Sequence, residues 1–338
     1  MVAGWASGDA MAAIVTGPDL RYRPLRRERL RYAFAPGIDG TSLTIPLEII
    51  CGASDGPHLA VVAGVHGDEL EGVRAIQALS TAITCEGLAG TLLLVPIANL
   101  PAYTARTRRG ALDGVDLNRV FPGRASGSIS EQLAHALVHV LFAEMQLVVS
   151  LHGLGGYGTL LPWMEFVDVP GPVGQASYAA ARAFGFADLM PLPLLPGVLI
   201  AALAARSIPA IEGEIGGQGM IDATNWQRYV SGVMGVMRHL GMLAGPTMPA
   251  LAPRFWDLYW IAAPAGGLFE RRVALGEQVA SGQTLGIILD PFGDVIGEVV
   301  TPCDGVIGAY QTFASVYPGE QIILVWRRSR PRHVNTTS

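Results

Sequence analysis

A histidine and a glutamate three positions apart stand where an apolar stretch of the sequence gives way to a turn. Residues 59–65 are apolar or glycine throughout, and His66 and Glu69 follow them with Gly67 in between. An imidazole and a carboxylate that leave a strand end together can bind one metal ion. A third ligand would complete a His₂Glu set, which in hydrolytic zinc sites leaves one coordination position open for water.

The third ligand is predicted at His152, which follows a second apolar stretch, residues 147–151, and precedes a glycine-rich loop. A strand followed by such a loop places the histidine at the carboxyl edge of a sheet, where open α/β sheets bind ligands. The sequence therefore predicts one Zn²⁺ per chain, bound by His66, Glu69 and His152. Cobalt and manganese stay open as the working metal.

Two further stretches carry side chains that suit catalysis. Glu214 ends a predicted buried strand, where an unpaired carboxylate is costly, and we predict it to be the general base. Glu212 points to the same face of that strand and could meet a cationic substrate group. Asn118 and Arg119 lie in a long irregular loop, and together they could bind a substrate carboxylate.

A helix is predicted over residues 129–145, with Ser128 and Glu131 in the arrangement of a capping box at its start. On it, His135 and His139 form a second histidine pair with the i, i+4 spacing of metal ligands. The glutamate of an H-E-x-x-H motif is missing, because Ala136 follows the first histidine. We therefore predict that these two side chains belong to the packing or the surface of a helix.

The composition limits the classes of function. The chain has 338 residues, 50% of them hydrophobic and 15% charged, and a formal net charge of −5. These values favour a compact globular protein and argue against disorder and nucleic-acid binding. All basic residues are arginine, which excludes a Schiff-base, P-loop or lipoyl-attachment lysine. Three scattered cysteines and no recognisable secretory signal predict a cytoplasmic protein, and no membrane span is expected.

Strand-like and helical stretches alternate from about residue 42 onward, which predicts an α/β fold around a mixed, largely parallel sheet flanked by helices. After residue 250, short strand-like stretches separated by glycine turns predict a smaller C-terminal all-β domain. The predicted organisation is an N-terminal arm over 1–40, a catalytic domain over 41–250, a β-barrel-like domain over 251–328 and a flexible tail over 329–338.

The order of four motifs resembles that of the succinylglutamate desuccinylase/aspartoacylase family, which is related to the zinc carboxypeptidases. The motifs are HGDE at 66–69, DLNRVFPG at 116–123, LH at 151–152 and EIGG at 214–217. The resemblance covers roughly residues 40–325. It implies a zinc-carboxypeptidase-like fold and hydrolysis of the amide bond of an N-acylated small amino acid.

The resemblance assigns roles to residues of the predicted metal site. His66, Glu69 and His152 match the zinc ligands of the family, and Glu214 matches the catalytic carboxylate. Ser150 stands where the family often has an aspartate, two residues before the second histidine. A serine there can still form a hydrogen bond with the histidine.

The same resemblance assigns the contacts to substrate. Asn118 and Arg119 match the pair that holds a substrate carboxylate. Arg108 matches an arginine that polarises the scissile carbonyl, and Arg109 takes its place if the loop register is shifted. Glu212 occupies a position that is commonly uncharged in the family, a departure that bears on the identity of the substrate.

The sequence therefore predicts a zinc-dependent deacylase that acts on an N-acylated amino acid or a similar small carboxylate. One alternative is a metallocarboxypeptidase that acts on short peptides. Another is a non-catalytic protein that binds a carboxylated metabolite. The expected partner is a small-molecule substrate rather than nucleic acid or membrane, and a homo-oligomer is left open.

Overall fold

The computed structural model describes residues 12–247 and 251–334. Residues 1–11 of the predicted arm, residues 248–250 and residues 335–338 of the predicted tail lie outside the described part of the chain. The strands are β1 (Ala13–Val15), β2 (Arg27–Pro36), β3 (Ser42–Cys51), β4 (Ser54–Ala63), β5 (Ala89–Val95), β6 (Leu147–His152), β7 (Gly158–Val167), β8 (Asp188–Leu192), β9 (Ala210–Gly217), β10 (Arg254–Ala262), β11 (Gly267–Arg271), β12 (Gln278–Val279), β13 (Thr284–Leu289), β14 (Val295–Val300), β15 (Gly305–Gln311), β16 (Ser315–Val316) and β17 (Gln321–Arg328). The α-helices are α1 (Glu71–Ala82), α2 (Leu100–Ala105), α3 (Ile129–Ala136), α4 (Pro172–Phe184), α5 (Leu199–Ala204) and α6 (Ala223–His239).

The main sheet is mixed in direction. Its strand order within the described residues is β1-β2-β3-β5-β4-β6-β9-β7-β8-β10-β17-β15-β12. The middle strands β5, β4, β6 and β9 are parallel. On both sides of them the chain adds antiparallel pairs, such as β2 with β3 and β10 with β17. The mixed α/β architecture is confirmed, whereas the expectation of a largely parallel sheet is not.

Helices cover both faces of the central strand β4, which explains why its sequence is apolar without alternation. Leu59, Val61 and Ala63 pack into a core with α1, α4 and α6, while Ala60 and Val62 pack into a second core with α3 and α5. Burial of each large apolar side chain contributes about 1.5–3 kcal/mol. This two-sided packing fixes the strand whose carboxyl end leads to His66.

The helix that was predicted over 129–145 begins as expected, but its geometry changes from α-helical to π-helical after Ala136. Ser128 accepts a hydrogen bond from the backbone N–H of Glu131 at 3.4 Å, and the Glu131 carboxylate accepts one from the N–H of Ser128 at 2.8 Å. This capping box starts α3. Residues 137–141 then form one π-helical turn. Among the described residues, no helix is both long and apolar enough to cross a membrane.

The C-terminal strands extend the main sheet and add a second one. β10, β17, β15 and β12 continue the main sheet, and β14, β13, β11 and β16 form a separate four-stranded sheet. The two sheets share a core in which Ile261 and Val325 meet Phe269, Leu285 and Ile288. This region therefore has apolar packing of its own, while β10 pairs directly with β8 of the preceding segment.

Candidate metal centre and active site

Three adjacent parallel strands bring the predicted site residues to one edge of the sheet. β4 pairs with β6, and β6 pairs with β9, with His152 directly beside Glu214. His66 and Glu69 belong to the turn that follows β4. Because the carboxyl ends of parallel strands meet at the same edge, side chains that are far apart in sequence converge there.

The three predicted metal ligands lie in mutual contact. Oε1 of Glu69 is 2.7 Å from Nδ1 of His66, and Oε2 of Glu69 is 2.9 Å from Nδ1 of His152. All three side chains are buried, and their ligand atoms lie within 4.8 Å of one another. Two nitrogen donors and one carboxylate in this arrangement fit a His₂Glu zinc site.

The second nitrogen of each imidazole contacts another polar side chain. Nε2 of His66 lies 3.1 Å from Oδ1 of Asp116, and Nε2 of His152 lies 2.9 Å from Oγ of Ser150. With the proton on Nε2, both rings donate outward and present Nδ1 to a cation. Such outer contacts fix the tautomer and the orientation of a ligating histidine. Ser150 therefore forms a hydrogen bond with His152 at the position where the family often has an aspartate.

Charges in the site stabilise one another. Burial raises the pKa of Glu69, but the neighbouring His66 and His152 outweigh it and hold that pKa well below its usual range. Burial lowers the pKa of His152, but Glu212 and Glu69 outweigh it and raise the pKa to about 10. The cluster therefore has a negative electrostatic potential, which favours the binding of a divalent cation.

Glu214 has a carboxylate oxygen with no partner. Its Oε2 is buried and forms no hydrogen bond with any described residue. Burial and the charge of Glu69 raise the pKa of Glu214 well above its usual value. A buried acceptor that lacks a partner is costly, and it is typical of a group that is available to a ligand or a proton.

Arg108 lies against the metal centre. Its Nη1 donates to Oε1 of Glu69 at 3.3 Å, and its Nε donates to Oδ2 of Asp116 at 3.1 Å. Burial raises the pKa of Asp116, but the hydrogen bond with His66 and the charge of Arg108 bring it below its usual range. The Arg108 side chain is 41% exposed, so its guanidinium can also reach a ligand.

The predicted carboxylate-binding residues lie beside this centre, but their side chains are not equally free. Oδ1 of Asn118 accepts a hydrogen bond from the N–H of Leu199 at 2.8 Å, and its Nδ2 donates weakly to Glu212 at 3.5 Å. Arg119 donates to the backbone oxygen of Asn118 at 2.7 Å. Arg119 and Arg109 are exposed, and neither forms an ion pair with a described residue. Their guanidinium groups remain available to an anionic ligand.

A cavity of about 870 Å³ opens onto these residues. Its walls combine the strand edge with side chains of β10 and β17 from the C-terminal region. The wall carries basic, acidic and aromatic side chains; it includes His66, Arg108, Arg109, Asn118, Arg119, Tyr157, Trp163, Glu165, Glu212, Glu214, Trp256, Trp260 and Leu324. The cavity therefore contains every predicted substrate-contacting residue and is large enough for a small molecule.

The other histidine pair takes no part in this centre. His135 and His139 stack with ring centroids 4.5 Å apart. Among the described residues, no group of three metal-ligating side chains includes either of them.

Comparison with known protein families identifies the chain. The model of the succinylglutamate desuccinylase/aspartoacylase catalytic domain matches residues 55–240, more than half of the sequence. The chain belongs to the succinylglutamate desuccinylase/aspartoacylase family. The resemblance predicted from the four motifs is thereby confirmed, and membership in this family indicates an amide-hydrolysing enzyme.

Relatives in this family cover most of the chain. The N-α-acetyl-L-2,4-diaminobutyric acid deacetylase of Halomonas elongata is 28% identical over 294 residues, which are 84% of this chain and 86% of the relative. The succinylglutamate desuccinylase/aspartoacylase of Rhodobacter sphaeroides is 26% identical with a TM-score of 0.84, covering 93% of this chain and 99% of that one. The product-bound ectoine utilization protein EutE of Ruegeria pomeroyi has a TM-score of 0.83 at 24% identity, covers 91% and 97% respectively, and supports the fold.

Sequence reasoning missed three residues that this family member places at the site. Asp116 was quoted in a motif but was not predicted to contact His66. Glu165 lies in β7, a strand that the sequence reading did not predict, although one charge within an apolar run signals a special environment. The Tyr229 hydroxyl lies 2.6 Å from the carbonyl oxygen of His152. No local pattern in α6 distinguishes that tyrosine from a core residue.

Proposed function

We propose that this protein is a zinc-dependent amidohydrolase that removes the acyl group from an N-acylated amino acid or a similar small carboxylate. His66, Glu69 and His152 would hold one zinc ion. The proposal rests mainly on the position of Glu69, whose two oxygens lie 2.7 Å from Nδ1 of His66 and 2.9 Å from Nδ1 of His152. In the same site, Oε2 of Glu214 is buried without a hydrogen-bond partner among the described residues. This donor set, in a cavity that also contains arginines, suits hydrolysis of a carboxylated amide.

Each residue has a distinct part in this proposal. Zinc, when bound, supplies Lewis acidity that polarises a carbonyl group and lowers the pKa of water. Glu214 would take a proton on its free Oε2 and deliver it to the leaving amine. Arg108 would stabilise negative charge on the carbonyl oxygen, because its guanidinium already lies 3.3 Å from Glu69.

The substrate carboxylate would be held by the arginines and the asparagine that line the cavity. Arg119 is exposed and forms no ion pair with a described residue, so its guanidinium can bind a carboxylate through two parallel hydrogen bonds. Asn118 would add one donor, its Nδ2, because its Oδ1 is already engaged by Leu199. Arg109 lies at the edge of the same cavity and serves as the alternative basic group.

The test combines metal analysis with the Glu214→Gln variant. The purified protein is expected to hold one zinc per chain and to hydrolyse at least one of a panel of N-acetyl, N-succinyl and N-formyl amino acids. Glu214→Gln should keep the zinc and lose about 10²- to 10⁴-fold in kcat, the range for general acid–base groups. The matched control is Glu298→Gln, which changes an exposed residue of β14 and should keep wild-type rates.

Several outcomes would reject this proposal. Near-normal turnover by Glu214→Gln would remove that residue from the role of base. Cleavage of dipeptides but not of N-acyl amino acids would favour a metallocarboxypeptidase. A metal-free protein that binds a carboxylated metabolite and hydrolyses nothing would favour a binding protein.

We also infer a division of the chain into a catalytic domain over 41–250 and a β domain over 251–328, supported by the separate apolar core of the C-terminal strands. β2, within the predicted arm over 1–40, pairs with β3 and would therefore act as part of the catalytic sheet. A flexible tail over 329–338 and a cytoplasmic location stay predictions from the sequence.

A further inference from the structure

Glu212 is a buried carboxylate that lies against one of the predicted metal ligands. On the parallel strands β6 and β9, Ser150 pairs directly with Glu212, and His152 lies two residues beyond Ser150 along β6. Directly paired residues of neighbouring strands, and residues two apart on one strand, share a face of the sheet. The fold therefore brings Ser150 and Glu212 to the His152 imidazole from two different strands.

The outer nitrogen of His152 is close to both side chains. Nε2 lies 2.9 Å from Oγ of Ser150 and 3.3 Å from Oε2 of Glu212. The hydrogen bond goes to Ser150, because Oε2 of Glu212 is buried without a hydrogen-bond partner among the described residues. Oε1 of Glu212 accepts a weak hydrogen bond from Asn118 at 3.5 Å. The side chains of His152 and Glu212 are 1% and 5% exposed, so solvent screens little of the charge between them.

The other ligating histidine shows the arrangement in its simpler form. Nε2 of His66 lies 3.1 Å from Oδ1 of Asp116, so one carboxylate both accepts the hydrogen bond and faces the ring with negative charge. A carboxylate in that position orients a ligating imidazole and raises its basicity. The hydroxyl of Ser150 can orient the ring of His152, but it carries no charge. Glu212 brings a negative charge to the same nitrogen from the neighbouring strand.

We propose that Ser150 and Glu212 divide between them the role that Asp116 has alone behind His66. Ser150 orients the His152 imidazole, and Glu212 is a positioning residue whose charge strengthens the binding of metal by that imidazole. This inference rests on the proposed zinc site. Two other assignments compete with it: a contact of Glu212 with substrate alone, and direct ligation of a metal, because His152, Glu212 and Glu214 place ligand atoms within 4.8 Å of one another.

The test moves the carboxylate from one strand to the other. Glu212→Gln keeps the size of the side chain and removes its charge, and it should weaken zinc binding about tenfold to a hundredfold in competition with a chromophoric chelator. Adding Ser150→Asp to Glu212→Gln puts a carboxylate where the hydroxyl now lies 2.9 Å from the ring. The double variant should return to within about threefold of wild-type affinity. Ser150→Asp alone should gain less than about threefold, because Glu212 already supplies the charge.

Two further variants serve as controls. Glu165 pairs directly with Glu212 in the ladder of β7 and β9, but it forms no ion pair with a histidine among the described residues. Glu165→Gln should therefore bind zinc within about threefold of wild type. Glu212→Asp keeps the charge in a smaller side chain and should lose less affinity than Glu212→Gln, which tests the role of charge even if Ser150→Asp disturbs the packing. Near-UV circular dichroism of the metal-free variants checks that each one is folded.

Several results would overturn the inference. One is zinc binding by Glu212→Gln within about threefold of wild type. Others are equal losses in Glu212→Gln and Glu165→Gln, or the same gain from Ser150→Asp with and without Glu212, because charge would then act regardless of its position. Two zinc ions per wild-type chain, one of them lost in Glu212→Gln, would make Glu212 a direct ligand. These results leave the proposed function standing, whereas a wild-type protein that binds no zinc would overturn both.

Discussion

Replacing Asp116 with asparagine should weaken zinc binding although the aspartate is not a predicted ligand. Oδ1 of Asp116 accepts from Nε2 of His66 at 3.1 Å and from the N–H of Asn118 at 3.0 Å, while Oδ2 accepts from Arg108 at 3.1 Å. The amide of the Asp116→Asn variant would keep one acceptor oxygen and turn its NH₂ group toward another donor. The substitution therefore removes the negative charge that faces the His66 imidazole. It also leaves the NH₂ group of the new asparagine facing another hydrogen-bond donor, with no acceptor for either.

The size of the effect follows from these contacts. A hydrogen bond to a charged group contributes about 1.5–3 kcal/mol and a neutral one about 0.5–1.5 kcal/mol, so the contact with His66 should lose about 1–1.5 kcal/mol. The contact with Arg108 adds less, because that side chain is 41% exposed and solvent screens it. The sum corresponds to zinc affinity that is about tenfold weaker, at the lower end of the range for outer-contact substitutions.

Zinc affinity can be measured by competition with a chromophoric chelator. The matched control is Asp113→Asn, three residues earlier in the same loop, where the carboxylate accepts hydrogen bonds from the N–H and hydroxyl of Ser130 at 2.8 Å each. That variant loses the same charge without touching the metal centre, so it should bind zinc normally. Zinc binding by Asp116→Asn within about twofold of wild type, or equal weakening in both variants, would refute the reasoning.

Two further predictions concern stability. Tyr229→Phe should lower the free energy of unfolding by about 1–3 kcal/mol in urea denaturation, because the hydroxyl lies 2.6 Å and 2.7 Å from the buried carbonyl oxygens of His152 and Gly213; an unchanged midpoint and slope would contradict this. Glu165→Gln should change the pH dependence of stability. The wild-type pKa of Glu165 is raised from 4.5 to about 8 by burial and by Glu212, so as pH rises from 4.5 toward 8 the unfolded state loses its proton first and the native state becomes less stable. The variant lacks this loss, and parallel stability curves for variant and wild type over that interval would show that Glu165 titrates normally.

Much of the candidate site could be predicted because its signals are local. His66 and His152 each follow an apolar stretch that forms a buried strand, and the carboxyl end of such a strand is where parallel sheets place ligand-binding groups. The capping box that begins α3 was predicted for the same reason, since Ser128 and Glu131 interact within one turn. Four short motifs in one order were sufficient to identify the family that residues 55–240 match.

Strand direction and strand neighbours could not be predicted in the same way. The sequence reading missed β7, because the ten residues from Gly158 to Val167 follow a glycine-rich loop and lack clear alternation. Without β7 there was no partner for Glu212. The antiparallel pairs on both sides of the parallel centre likewise depend on contacts between distant segments, which local periodicity does not encode.

By itself, the sequence determined which residue types stand at the ends of the central strands, and therefore that two imidazoles and a carboxylate were available to one cation. Only the tertiary structure decided their outer partners and the character of the cavity wall: Asp116 behind His66, and Glu165 beside Glu212. The physical reason is that the sequence of a strand specifies which of its side chains are buried and which face of the sheet each one occupies. The identity of the neighbouring strand instead follows from packing of the whole sheet and its two helical layers.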